Sequence, residues 1–261
     1  MQQNFTLIIF TLILIPILLF FYWRLRLKKI AIYKSLILGK IEVFEKYNKE
    51  KVLTINSYPQ GVSIKDQSIE KSYWFTVAEL VVKFCSSRKN SQVLLLGLGA
   101  NTIPSLIAQK NPKILQTIIE IDKFIIEACR KYFNLDQLPN YQILKADAFQ
   151  ILKEHLLASS AYSKFFILNS LFDIIIVDIF TGQPPYVSLN SNQPNFIEKI
   201  MPFLKNDGMI IFNRPAHNQE SRNGGFELEK YLKTKFQKTD ILEIFDPRRF
   251  KNHVITGWQK K

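Results

Sequence analysis

Hydrophobic positions divide this chain into three stretches of different rhythm. The first is continuous: residues 5–23 are almost wholly Ile, Leu, Phe and Thr, and no Asp, Glu, Lys, Arg or His occurs from Met1 to Trp23. Nineteen residues at about 1.5 Å each span about 28 Å, close to the roughly 30 Å hydrocarbon core of a bilayer. No basic residue precedes the run and no small-residue cleavage site follows it. Tyr22 and Trp23 sit where an interfacial aromatic belt belongs, and Arg24, Arg26, Lys28 and Lys29 come next. This pattern predicts a single-pass membrane anchor, contacting lipid through residues 5–23, with the rest of the chain on the cytoplasmic side. Pro16 is compatible with it, because lipid-embedded helices tolerate proline. Residues 1–40 thus read as anchor and basic juxtamembrane segment, the latter able to extend the helix.

The second stretch is short-period. Ile41–Tyr47, Lys51–Ser57 and Val62–Lys65 are β-type segments separated by charged or Pro/Gly turns, which predicts a small β-region over residues 41–72. The third alternates strands and helices and forms one domain over residues 73–261. A helix over Tyr73–Phe84 precedes strands at Val93–Leu96, Thr117–Ile121, Tyr141–Leu144 and Phe172–Val177. Helical patterns cover Thr102–Gln109, Lys123–Tyr132 and Phe149–Leu157 between them. Continuous apolar strands alternating with helices imply a parallel sheet covered on both faces. Met209–Phe212 adds another strand, and Lys238–Ile244 with His253–Trp258 closes the sheet as an antiparallel pair. The connection Lys153–Leu171 is long for such a fold and reads as an inserted surface element.

Charge and cysteine content narrow the partners. The net charge is +13, of which the first 40 residues carry six basic groups and no acid, leaving +7 for the remainder. Juxtamembrane lysines and arginines favour anionic lipid by about 1 kcal/mol each. No nucleic-acid module is recognisable, so the excess does not call for a nucleic-acid partner. Cys85 and Cys129 lack metal-ligand spacing and read as ordinary thiols. His155, His217 and His253 are too far apart for a zinc pattern, and no metal is expected.

In doubly wound sheets, ligands sit beyond the carboxyl ends of the strands. The first such end carries Gly97-Leu98-Gly99, whose glycines permit a tight turn and close approach of a ligand to the backbone. The second carries Glu120, 21 residues beyond Gly99, where a Rossmann-type acid accepts from ribose hydroxyls. Asn101 and Thr102 stand where pyrophosphate-binding folds have a third glycine, which suits a nucleoside without phosphates. Asp147 follows the third strand, placed for an adenine amino group, and Asp178 the fourth. Each acid alone could simply cap the next helix; three at successive strand ends after a GxG point to one site. Arg214, in Asn213-Arg214-Pro215, reads as a solvated loop residue near the cleft.

With these motifs the chain resembles the spermidine synthase family, and more broadly the class I methyltransferases. The matching segments are Val93–Gly99, Ile119–Asp122, Ala146–Phe149 and Phe172–Asp178, running on to Pro185, with Gln60-Gly61 and Tyr73 compatible with that family's N-terminal β-domain. The resemblance implies a Rossmann-like methyltransferase fold. It also implies S-adenosylmethionine or its decarboxylated form bound by Gly97, Gly99, Glu120 and Asp147, and Asp178 as the acid–base residue beside an amine. Gln60, Tyr73, Thr181 and Tyr186 would lie on the substrate side, and assembly into homo-oligomers through the β-domain is a family habit. Two departures bear on the substrate. The family's acid in the glycine loop is replaced by Ala100, and its second acid after the catalytic one by Thr181. Those carboxylates would hold a cationic amine chain. Three functions therefore stand together: an aminopropyl transferase, a methyltransferase acting on a membrane-proximal acceptor, and a nucleoside-binding protein without catalysis.

Overall fold

The computed structural model describes residues 14–15, 27–64, 67–150, 171–180, 194–246 and 251–261. Apart from Leu14 and Ile15, the expected membrane span lies outside the described residues, as do the Lys153–Leu171 insertion up to residue 170, Thr181 and Tyr186. Among the described residues no helix is long and apolar enough to cross a membrane.

A four-stranded antiparallel meander comes first: β1 (Lys28–Ser35), β2 (Gly39–Glu45), β3 (Lys51–Ile55) and β4 (Tyr58–Val62), paired in that order. Residues 28–35, expected as part of a basic extension of the anchor, are thus a strand, and the β-region begins before residue 41. The reason lies in the pattern Ile30-Ala31-Ile32-Tyr33. β-branched and aromatic side chains alternate faces there, and Tyr33 packs on Phe124 while the lysines stay in solvent. The third β-segment is also earlier than expected, ending rather than starting at Val62.

Helix α1 (Tyr73–Cys85) starts at an N-cap, Ser72, whose side chain accepts from the Phe75 N–H. The Rossmann-like unit follows: β5 (Gln92–Leu96), α2 (Thr102–Lys110), β6 (Leu115–Glu120), α3 (Lys123–Tyr132), β7 (Tyr141–Lys145) and β8 (Phe172–Val177). Then come α4 (Pro194–Ile200), β9 (Leu204–Pro215), α5 (Gln219–Lys235), β10 (Phe236–Phe245) and β11 (Lys251–Lys260). The seven strands run in the order β10-β11-β9-β8-β5-β6-β7. The five from β9 to β7 are parallel, and β11 is antiparallel to both its neighbours.

Two-residue alternation sorts the central side chains into two cores. Val93, Leu95, Ile174, Ile176 and Ile211 pack with α1, α2, α3 and the meander, whereas Leu94, Leu96, Ile175, Val177, Ile210 and Phe212 pack with α4 and α5. Thr102 ties the meander to this unit. Its hydroxyl donates to the Val62 carbonyl at 2.8 Å and accepts from the Val62 N–H at 3.0 Å. Gly61 lies beneath the glycine loop: a Cβ there would stand 2.7 Å from that of Ala100.

Candidate functional site

Three backbone hydrogen bonds carry the sheet past the formal ends of its strands. Gly97 N–H donates to Ile119 O, Ala146 N–H to Glu120 O and Asp178 N–H to Leu96 O, each at 2.9 Å. They bring the ends of β5, β6, β7 and β8 to one rim. The connections from β5 lead to β6 on one side and, further along the chain, to β8 on the other. The rim is therefore the switch point at which such sheets bind ligands.

A cavity of about 590 Å³ opens there, lined by Gly97, Gly99, Glu120, Asp147 and Asp178 together with Gln60 and Tyr73. All the sequence-predicted site residues that fall within the described part of the chain are gathered in it. Gly97 (φ +92°) and Gly99 (φ +56°) use backbone conformations that favour glycine. A Cβ on Gly97 would overlap the Asp178 carbonyl, and one on Gly99 would stand 3.0 Å from Gln60 O. The loop thus passes between β8 and the meander with bare backbone.

Glu120 is buried. One carboxylate oxygen accepts from the Leu98 N–H at 3.0 Å and the other from the Asp122 N–H at 2.9 Å. Burial pushes its carboxyl above the usual range, and the N–H donors oppose that shift. The acid is thereby fixed to the glycine loop, with lone pairs left over for hydroxyl donors. Asp147 accepts from the Phe149 N–H at 2.8 Å through Oδ1, so it caps the following helical turn and also lines the cavity. Asp122 caps α3 and accepts from the Ser35 hydroxyl, which pins the β1–β2 turn to the cavity edge.

Asp178 holds a chain of polar groups that the sequence did not reveal. Its Oδ1 accepts from Asn213 Nδ2 at 2.8 Å, and Asn213 Oδ1 accepts from Asn252 Nδ2 at 2.8 Å. The Tyr73 hydroxyl donates to Oδ2 at 3.4 Å. Desolvation pushes the Asp178 carboxyl up to about 6, against the pull of the Asn213 and Tyr73 hydrogen bonds. Burial, and next the neighbouring carboxylate, hold Tyr73 well above an ordinary phenol. A carboxylate poised near neutrality at a cavity wall can take a proton from a bound acceptor.

The remaining wall was also invisible in the sequence. Ser35–Gly39, the tip of the β1–β2 hairpin, lies against the mouth, with Leu36 and Ile37 exposed. Ile121, Ile125, Phe149, Ile179 and Phe180 add apolar side chains to the lining. Arg214 is not a solvated loop residue; it lies within β9 and is buried, and desolvation pushes its guanidinium down to about 10. Cys85 and Cys129 are free and buried. Among the described residues no group of three His, Cys, Asp or Glu could hold a metal.

Strand order 3-2-1-4-5-7-6, a glycine loop after the first strand and acids at the following strand ends define a Rossmann-like domain of the class I methyltransferase type. Comparison with known proteins narrows this. The Spermine/spermidine synthase domain matches residues 73–252, and the chain belongs to that family. Over 154 residues it is 23% identical to a polyamine aminopropyltransferase of Vibrio vulnificus (strain CMCP6), covering 59% of this chain and 48% of the relative. The chain thus spans about half the length of that curated relative. The spermidine synthase of Thermotoga maritima superposes with a TM-score of 0.62 at 20% identity, covering 89% of this chain and 73% of that one. Human methyltransferase-like protein 13, solved with SAH, gives 0.53 at 18% identity, covering 69% and 75%. These two likenesses establish the fold.

Proposed function

We propose that the cavity binds an adenosyl-sulfonium cofactor and that the protein transfers its aminopropyl group to an amine, with Asp178 taking the proton. The observation that carries this reading is the convergence of Gly97, Glu120, Asp147 and Asp178, from four strand ends, on one cavity of about 590 Å³. The residues present fit such a group. The loop at Gly97 and Gly99 offers backbone without a Cβ, Glu120 accepts from ribose hydroxyls, and Asp147 has Oδ2 for an adenine amino group. When bound, the sulfonium supplies an activated carbon for in-line displacement. The protein's part is to align the acceptor, keep water out with the Ile179 and Phe180 wall, and remove the proton at Asp178 Oδ2.

A second reading, methyl transfer from intact S-adenosylmethionine, is favoured by one observation. The cavity's described walls carry only Glu120, Asp147 and Asp178 as acids, beside apolar side chains such as Ile121, Ile125, Phe149, Ile179 and Phe180. A second ammonium on a polyamine would meet no further carboxylate there, whereas a less polar acceptor would be at home. We also read the chain as tethered to the cytoplasmic face of a bilayer, on the strength of the 5–23 apolar run and the basic residues after it.

Calorimetry on the full chain with decarboxylated S-adenosylmethionine, S-adenosylmethionine and methylthioadenosine separates the readings. Tightest binding of the decarboxylated form is expected. Preference for intact S-adenosylmethionine establishes the methyltransferase reading instead, and binding of none of the three overturns both.

A further inference from the structure

We propose that Asn213, held in one orientation by Asn252, fixes Oδ2 of Asp178 as the oxygen that carries the proton; this rests on the acid–base role of Asp178 proposed above. The geometry follows from the register of three strands. Val177 on β8 pairs with Phe212 on β9, so Asp178 and Asn213 form the next rung and share a face of the sheet. On the other side Asn213 pairs with Val254 and Pro215 with Asn252, which sets Asn252 diagonally beside Asn213 on that same face. Both asparagines are buried.

An amide has one donor end and one acceptor end, and which faces where is decided by its partners. Asn252 Nδ2 donates to Asn213 Oδ1, which turns the Asn213 Nδ2 donor towards Asp178. In this arrangement Asp178 Oδ1 meets an N–H and has no acceptor in front of it. A proton placed on Oδ1 would confront that donor, whereas on Oδ2 it meets the Tyr73 hydroxyl oxygen and the cavity. In the proton transfer that accompanies the reaction, the acceptor's N–H bond breaks, its electron pair stays on nitrogen, and an O–H bond forms at Oδ2, leaving a neutral carboxyl. Asn213 and Asn252 are positioning residues in this scheme. Asn213 also stabilises the ionised form, opposing the burial that pushes Asp178 upward. The other titratable groups around it are Tyr73 from α1, with Asp246 acting on that phenol, and Glu120 and Asp147 on the cavity walls.

The test is the titration of the Asp178 carboxyl carbon by NMR in the isotopically labelled full chain, the signal assigned with Asp178→Asn. Asn213→Leu removes the donor, and the midpoint is expected to rise by about one pH unit, the size of one lost hydrogen bond to a charged group. Asn252→Leu adds no charge but frees Asn213 to turn, and a smaller rise in the same direction is expected. Because Asn252 acts through Asn213, the double variant should titrate where Asn213→Leu does. A wild-type midpoint in Asn252→Leu, or additive shifts in the double variant, overturns the proposal. Should Asn252→Leu fail to fold, Asn252→Ala carries the same comparison. The pH profile of transfer is a separate reading. If the carboxyl shifts and the profile does not follow it, the acid–base role of Asp178 falls while the orienting relay stands.

Discussion

Gly97 runs directly against the carbonyl of Asp178, so the glycine loop and the candidate base are built as one unit rather than as two neighbours. The Asp178 N–H bonds back to Leu96 O, one residue before the glycine, and closes the contact. Gly97→Ala places a methyl group where that carbonyl lies, and at φ +92° it adds the left-handed penalty of about 1–2 kcal/mol. Something must shift where the glycine loop meets the end of β8. Gly97→Ala should lower the melting temperature and abolish nucleoside binding together. Gly99→Ala, at φ +56° with its nearest contact at 3.0 Å, should cost less. Thermal unfolding and calorimetry on the pair check this order.

The raised carboxyl of Asp178 makes a prediction with a definite sign. Its value in the folded protein, about 6, lies above the ordinary 3.8, so the folded state holds that proton more tightly than the unfolded chain. The resulting stabilisation is complete below about pH 4 and is lost as pH rises through about 6. Asp178→Asn keeps the position neutral at every pH. Its melting temperature should therefore match wild type near pH 4 and exceed it near pH 7.5. Turnover by wild type should rise through about pH 6 as the base ionises and should vanish in Asp178→Asn, with nucleoside affinity nearly intact.

Thr102 tests whether the meander belongs to the site. Its hydroxyl satisfies both backbone groups of Val62, a buried residue. Thr102→Val leaves an N–H and a carbonyl without that partner, at a cost of about 1–3 kcal/mol. Gln60, two residues before Val62, lines the cavity, so loosening β4 should weaken nucleoside binding as well as denaturant stability. Loss of stability with binding unchanged would show that the meander only braces the fold.

The parts of this fold that could be read from the sequence are those where burial dictates composition. β5 and β8 carry the apolar runs Val93–Leu96 and Ile174–Val177, and β6 carries Ile118 and Ile119, because both faces of the sheet are covered there, and each run gives way to a glycine or an acid at the rim. That is why Gly97, Glu120 and Asp178 stood out. α5 was not legible. It buries little more than Gly225, Leu228 and Leu232, a stripe too narrow to show among so many polar side chains, with Gly225 left bare for the His253 ring. Asn213 and Asn252 gave no signal either, since their meaning arises only from the register of β8, β9 and β11. The hairpin tip at Ser35–Gly39 reached the cavity through a tertiary contact, the hydroxyl of Ser35 on Asp122, that no local pattern encodes.

The exposed Leu36 and Ile37, flanked by Lys34 and Lys40, give the tethered reading its own test. Apolar side chains bordered by lysines suit the headgroup boundary of an anionic bilayer. In the full chain with Trp23, Trp74 and Trp258 replaced by Phe and reconstituted in nanodiscs, a Leu36→Trp reporter should be quenched by lipids brominated on their acyl chains. Tyr47→Trp, two residues beyond the far end of β2 and more than about 20 Å away along the strand, should not be. Equal quenching at both positions, or at neither, would remove the hairpin from the membrane surface.

Asp173 lies at the other end of β8 from Asp178 and separates a structural carboxylate from a chemical one. It is buried, paired with Arg88 at 3.1 Å and Lys205 at 2.9 Å, and accepts from the Gln92 N–H at 2.9 Å. Asp173→Asn strips the charge from that cluster and leaves two cations facing an amide. Breaking a buried pair of this kind costs about 3 kcal/mol, reduced by the partial exposure of the two basic partners. Denaturant unfolding should register the loss. Because β5 and β8 remain paired through the whole of Val93–Leu96, the far rim should keep its geometry, with nucleoside affinity and the Asp178 titration unchanged. A variant that unfolds more easily yet binds as wild type assigns the first acid of Phe172–Asp178 to the fold. One that loses binding at unchanged stability would show that the two ends of β8 are coupled.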